Sequence, residues 1–209
     1  MSDLTSADLL DLSPVIPVVV VDTLDQAVPV ARALAEGGVP VVELTLRTPV
    51  ALDAIRAIAE EVPEVLIGAG TVTTPLLAKE AAAAGAQFLV SPGATPTLLG
   101  AMRDTGLPFL PGTATVSEAI AVLETGHTAM KFFPAEASGG AKYLGSLPSV
   151  LPGARFCPTG GISLATAPSY LALANVGCVG GSWLTPADVL ASGDWDRVTA
   201  LAAATAALR

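Results

Sequence analysis

A compact (β/α)8 TIM barrel of parallel strands with a short N-terminal helix is the fold this sequence predicts. Eight short apolar runs recur at intervals of roughly 20 to 26 residues along the 209-residue chain, each followed by an Ala/Leu-rich segment. Helix start and stop signals punctuate those segments. Strands alternating with helices imply a parallel sheet, because each crossover returns the chain to the same end. No linker, low-complexity tract or charge block divides residues 1–209, which therefore read as one domain. That length is at the lower end for such a barrel, about 200 residues.

The runs cover residues 15–21, 39–44, 65–69, 87–91, 109–111, 129–133, 155–157 and 175–179. Most are apolar on both faces, as befits strands covered by helices. Thr48-Pro49, Thr74-Pro75, Thr95-Pro96 and Thr185-Pro186 each place an N-cap threonine before a proline suited to the first helical turn. Thr23-Leu-Asp-Gln26 fits a capping box. Gly37-Gly38, Gly85 and Gly106 stand where helices need a left-handed closing residue. An open dinucleotide-binding sheet would want Gly-x-Gly-x-x-Gly after the first run, and Val21-Asp-Thr-Leu-Asp25 has none.

Composition narrows the function classes. Fifty-two per cent hydrophobic and 14% charged residues supply a sizeable core and exclude a disordered chain. The apolar runs fall far short of the roughly 20 residues of a spanning helix. Asp3, Asp8 and Asp11 mark an N-terminus without a secretory pattern, so the expected location is cytoplasmic. A net charge of −9 without any basic cluster opposes nucleic-acid and anionic-membrane binding. Cys157 and Cys178 read as buried free thiols and His127, the single histidine, as a bottom-face residue. One histidine also argues against a metal-dependent mechanism and gives no reason to expect a cofactor.

Barrel chemistry collects at the C-terminal ends of the strands, and the polar residues of this sequence fall there. Lys131 sits in the sixth run, sharing a face with Ala129 and Phe133 while Met130 and Phe132 take the other. Burial penalises an ammonium, and a neutral amine in a dry pocket attacks carbonyls to form a Schiff base. A salt-bridged rim lysine fits the position equally well. In the second run Val41, Glu43, Thr45 and Arg47 share a face. Four residues of strand span ~13 Å, so Glu43 would lie deep near Lys131 as a proton shuttle, with Arg47 over the mouth. A purely structural pair remains the alternative for Glu43. Thr159-Gly-Gly161 and Gly180-Gly-Ser182 follow the seventh and eighth runs, the two loops that commonly hold phosphate.

These stretches carry a resemblance. Val42-Glu-Leu-Thr-Leu-Arg-Thr-Pro49, Gly68-Ala-Gly-Thr-Val72, Met130-Lys-Phe-Phe-Pro-Ala-Glu136, Phe156-Cys-Pro-Thr-Gly-Gly-Ile162 and Gly180-Gly-Ser-Trp-Leu184 occur in order over nearly the whole chain. Together they resemble the 2-keto-3-deoxy-6-phosphogluconate aldolase family, also credited with activity on 4-hydroxy-2-oxoglutarate. The resemblance implies a metal-independent Schiff-base aldolase of 2-keto acids that yields pyruvate, assembled as a homotrimer. By position it implies Lys131 as the Schiff-base lysine and Glu43 as general acid/base. It further implies Arg47 on the substrate carboxylate with Thr71 nearby, Pro92, Phe133 and Thr159 lining the pocket, and Gly160, Gly161, Gly181 and Ser182 on the phosphate. Pro111-Gly-Thr-Ala-Thr115 departs from the family's Gly-Ile/Val-Ser-Thr. Two other readings compete: a phosphate-binding barrel with different chemistry, such as an epimerase or a thiamine-phosphate synthase relative, and a non-catalytic phosphometabolite binder.

Overall fold

Consecutive β-branched and aromatic residues become short strands buried on both sides. The computed structural model describes residues 4–208, so Asp3 lies outside the described residues. Its strands are β1 (Val15–Val19), β2 (Val41–Thr45), β3 (Leu66–Gly70), β4 (Phe88–Val90), β5 (Phe109–Leu110), β6 (Gly112–Thr113), β7 (Ala129–Phe132), β8 (Arg155–Pro158) and β9 (Val179–Gly181). The helices are α1 (Ser6–Leu9), α2 (Ala27–Glu36), α3 (Ala51–Glu61), α4 (Pro75–Ala83), α5 (Pro96–Asp104), α6 (Val116–Leu123), α7 (Gly140–Leu144), α8 (Ala167–Leu171), α9 (Ala187–Ser192) and α10 (Trp195–Ala206). Short 3-10 turns occupy Leu24–Gln26 and Leu147–Ser149.

The strands form an α/β fold of curled parallel sheet. One sheet runs β5-β4-β3-β2-β1-β9 and the other β6-β7-β8. Adjoining strands pair in parallel throughout, for example Glu43 with Gly68 and Lys131 with Cys157. Two isolated parallel bridges, Phe156 with Val176 and Thr159 with Gly180, run between the two sheets. The fifth apolar run holds β5 alone, and β6 follows directly after it, with Pro111, which has no N–H to donate, standing between the two. Its carbonyl still accepts from the Lys131 N–H at 2.9 Å.

Helix caps divide into two groups. Thr74 and Thr95 accept from the N–H groups of Leu77 and Leu98, each at 3.2 Å, ahead of a first-turn proline. Gly38, Gly85 and Gly106 have φ of 85°, 96° and 73°, as their closing role requires. The caps expected at Thr48 and Thr185 are not formed. Helix α3 starts only at Ala51, whose N–H reaches the backbone carbonyl of Thr48, because residues 46–50 are used in turns beyond β2. Helix α9 starts at Ala187 after a turn from Ser182 to Thr185. Both threonine hydroxyls are buried without a hydrogen-bond partner.

One hydrophobic cluster joins helices and sheets, with Phe88, Phe132, Phe156 and Tyr170 among its largest fully buried side chains. Phe132 stacks on Tyr143 of the helical side at 5.5 Å. Period-two alternation therefore turns the neighbouring Lys131 away from the helices, toward the interior of the curl.

Candidate active site

Position three of β2 and position three of β7 bring an acid and an amine together. Lys131 Nζ donates to Glu43 Oε1 at 3.1 Å, and the two residues are 4% and 2% exposed. Removing both charges from water carries a large desolvation cost, which their contact and hydrogen bond must offset. The glycines of β3 make the space. A Cβ added at Gly70 would fall on Glu43 Oε1, and one at Gly68 on the Phe88 ring. The Phe133 ring lies 5.4 Å from Lys131 Nζ, giving the amine an aromatic face.

Arg47 lies one turn past the end of β2 and is exposed, so strand alternation does not set its direction. Thr71 positions it instead, its Oγ1 accepting from Arg47 Nε at 3.3 Å. Thr71 has φ of 61°, the single non-glycine positive φ among the described residues. A β-branched residue there is strained by about 1–2 kcal/mol.

Two cavities share Val18, Val20, Arg47 and Ser182. One, of about 320 Å³, is also lined by Phe133, Thr159, Gly160, Gly161, Ile162 and Gly180. The other, about 450 Å³, continues past Asp22, Thr185 and Leu190. Gly160 and Gly161 have φ of 105° and 80°, a backbone shape that lets successive amides converge on an anion. The structure thus groups Arg47, Phe133, Thr159, Gly160, Gly161 and Ser182 around one cavity, which Phe133 connects to Lys131. Pro92 faces a different cavity, with Val72, Thr73 and Leu98. Gly181 lies within β9, buried, where a Cβ would fall on the Trp183 ring.

Sequence reading missed the β1 contribution. Val18 and Val20 look like ordinary core residues, and no local signal separates them from their neighbours. Asp22 was discoverable as the first acidic residue after the first run. Gly70 was quoted in its motif, but its task of clearing room for Glu43 needs the β2–β3 register. His127 is away from the site, stacked on Phe109 at 4.3 Å with its Nε2–H donated to the Phe109 carbonyl at 2.9 Å. Cys157 and Cys178 are both buried, and neither is in a disulfide among the described residues. Among the described residues no group of three or more His, Cys, Asp or Glu is placed to hold a metal, and no helix is long and apolar enough to cross a membrane.

A parallel α/β fold with a buried amine–carboxylate pair at strand ends defines a protein equipped for carbonyl chemistry. Residues 7–201 match the family model described as KDPG and KHG aldolase. The 2-dehydro-3-deoxy-phosphogluconate aldolase of Dickeya dadantii (strain 3937) is 55% identical over 199 residues, 95% of this chain and 93% of the relative. The KDPG aldolase of Legionella pneumophila, solved with pyruvate captured at low pH as a covalent carbinolamine intermediate, superposes with a TM-score of 0.95 at 44% identity, covering 97% of this chain and 98% of that one. The 2-keto-3-deoxy-6-phosphogluconate aldolase of Zymomonas mobilis ZM4, solved with 3-phosphoglycerate, gives 0.92 at 43% identity, covering 98% and 96%. The chain belongs to the KDPG and KHG aldolase family.

Proposed function

We propose that this chain is a Schiff-base aldolase that cleaves 2-keto-3-deoxy-6-phosphogluconate to pyruvate and glyceraldehyde 3-phosphate. It also cleaves 4-hydroxy-2-oxoglutarate to pyruvate and glyoxylate, and it needs no metal or other cofactor. The observation that carries the reading is the buried contact between Lys131 Nζ and Glu43 Oε1.

At 3.1 Å, Glu43 is within reach to take a proton from the amine, which leaves Lys131 a nucleophile. Nζ then adds to the C2 carbonyl, and Glu43 returns protons as the carbinolamine loses water to become an iminium. Glu43 next accepts the C4 hydroxyl proton, the C3–C4 bond breaks, and its electron pair moves into the iminium to give an enamine. The aldehyde leaves, C3 of the enamine is reprotonated, and water releases pyruvate and restores the amine.

Other residues take roles that their placement supports. Arg47, with Nε engaged by Thr71, offers its terminal nitrogens to the C1 carboxylate, for which a planar fork is suited. Phe133 and Thr159 wall the pyruvate end. Gly160, Gly161 and Ser182 meet the phosphate, and Gly181 backs them from within β9. Pro92 supports the neighbouring wall from outside this cavity.

The same reading extends to the fold. We infer a closed eight-stranded barrel in which β5 and β6 are one strand interrupted at Pro111, and the Thr159–Gly180 bridge joins β8 to β9. A single domain, a cytoplasmic homotrimer, follows the family resemblance and the acidic surface.

Incubation with pyruvate and borohydride, followed by mass spectrometry, tests the proposal. A stable adduct on Lys131 is expected, and Lys131→Ala should lose both adduct and turnover. Adduct formation that survives this substitution would sink the assignment.

A further inference from the structure

The phosphate-side loop turns through two successive left-handed glycines. It is held from a neighbouring loop. Beyond the ends of β7 and β8, Ala135 N–H donates to Thr159 O at 2.8 Å and Glu136 N–H to Gly160 O at 3.1 Å. Gly161 rests directly on the stem of Glu136, whose Cβ and Cγ would lie 2.8 Å from any Cβ added there. The Glu136 carboxylate is tied in turn by Tyr170, whose hydroxyl donates to Oε1 at 2.5 Å. Tyr170 is on α8, the helix that the glycine loop leads into, and is 1% exposed. The three groups therefore close a ring: α8 to Glu136, Glu136 to Gly160-Gly161, and the loop back to α8.

Resting on the aldolase reading, we infer that Tyr170 and Glu136 are positioning residues that set specificity for the phosphorylated substrate. They would act through the Gly160-Gly161 amides and leave Lys131 and Glu43 undisturbed. Two facts point this way rather than to simple packing. Glu136 is exposed while its partner's ring is buried, so apolar burial does not explain why a carboxylate is kept there. Burial pushes the Tyr170 phenol upward, with the Glu136 bond adding to it, so the hydroxyl keeps its proton and donates. With its charge bound to Tyr170, the carboxylate stays in one orientation and its stem supports Gly161.

The substitution Tyr170→Phe removes the donor and keeps the ring. It should raise KM for 2-keto-3-deoxy-6-phosphogluconate about tenfold, a charge-assisted hydrogen bond's worth, with kcat within about twofold. KM and kcat for 4-hydroxy-2-oxoglutarate, which has no phosphate, should stay unchanged, as should the rate of borohydride trapping with pyruvate. Glu136→Gln keeps an acceptor but not the charge and should raise that KM by less than Tyr170→Phe does, while Glu136→Ala should reproduce Tyr170→Phe, with no further rise in the double variant. KM values for both substrates rising together, or neither moving, would overturn the inference while the aldolase assignment stands. A wild-type chain that turns over neither substrate overturns that assignment and the inference with it.

Discussion

Thr71, in the role proposed for it, would be kept for function at some cost to the backbone. Its φ of 61° is a conformation glycine adopts freely and threonine does not. The hydroxyl it places beside Arg47 is the compensating gain, though at 3.3 Å the bond is long. Thr71→Gly removes about 1–2 kcal/mol of strain and adds the entropy of an extra glycine, about 0.5–1 kcal/mol. Melting temperature should therefore move little or rise slightly. KM for a 2-keto acid should rise about three- to tenfold as Arg47 loses its support. Thermal melts beside steady-state kinetics check both halves, and an unchanged KM would remove Thr71 from the carboxylate site. The two residues proposed for the chemistry are legible because they break an apolar pattern. Lys131 and Glu43 are conspicuous in their runs; Val18 and Val20, which line the cavity with Arg47 and Ser182, conform to the pattern and stay invisible.

At the scale of elements, β3 is built to be thin. Its Gly68-Ala-Gly70 sequence leaves room on one face for the Phe88 ring from β4 and the Glu43 carboxylate from β2. Gly70→Ala would put a methyl group on Glu43 and turn its carboxylate away from Lys131. A displacement of about 1 Å is enough to lower kcat by about 10²-fold, so this variant should fold and fail at turnover. Circular dichroism with single-turnover trapping separates the two, and near-normal kcat would show that Glu43 has slack. Element identity was readable in the sequence because Thr74, Thr95 and the closing glycines act within one helical turn. Thr48 and Thr185 carry the same Thr-Pro signature and cap nothing, since the turns beyond β2 and β9 delay both helices. A local motif does not encode how far a loop must travel before the next helix starts. Pro111 is visible in the sequence, but the change of partner there, from β4 for β5 to β7 for β6, is not, because distant strands set it.

The whole molecule carries its acid sensitivity at a distance from the site. Burial holds the His127 imidazole below its ordinary value of 6.5, the first cause, against the raising effect of its bond to Phe109. The unfolded chain protonates near 6.5 and the folded chain only at lower pH, so stability is complete above 6.5 and is lost as pH falls through the folded value. The Glu118 carboxylate behaves in the same direction at lower pH. The N–H of Ala114 depresses it first, and capping of α6 is lost as it protonates. Melting temperature should fall as pH drops below about 6.5, and His127→Gln, which cannot titrate, should flatten that upper part of the curve. An identical slope in the variant would assign the acid sensitivity elsewhere.

The Lys131–Glu43 contact joins residues 88 positions apart in the chain. If this pair is the reactive centre proposed above, neither half of the molecule holds it alone, because the acid is on β2 and the amine on β7. Covalent capture of pyruvate is therefore a clock for folding as well as an assay of chemistry. During refolding from denaturant, helical signal should return first, since its contacts are local. The competence to be trapped should return only when the two strands are seated against each other, making the adduct on one lysine a time stamp for the last long-range step.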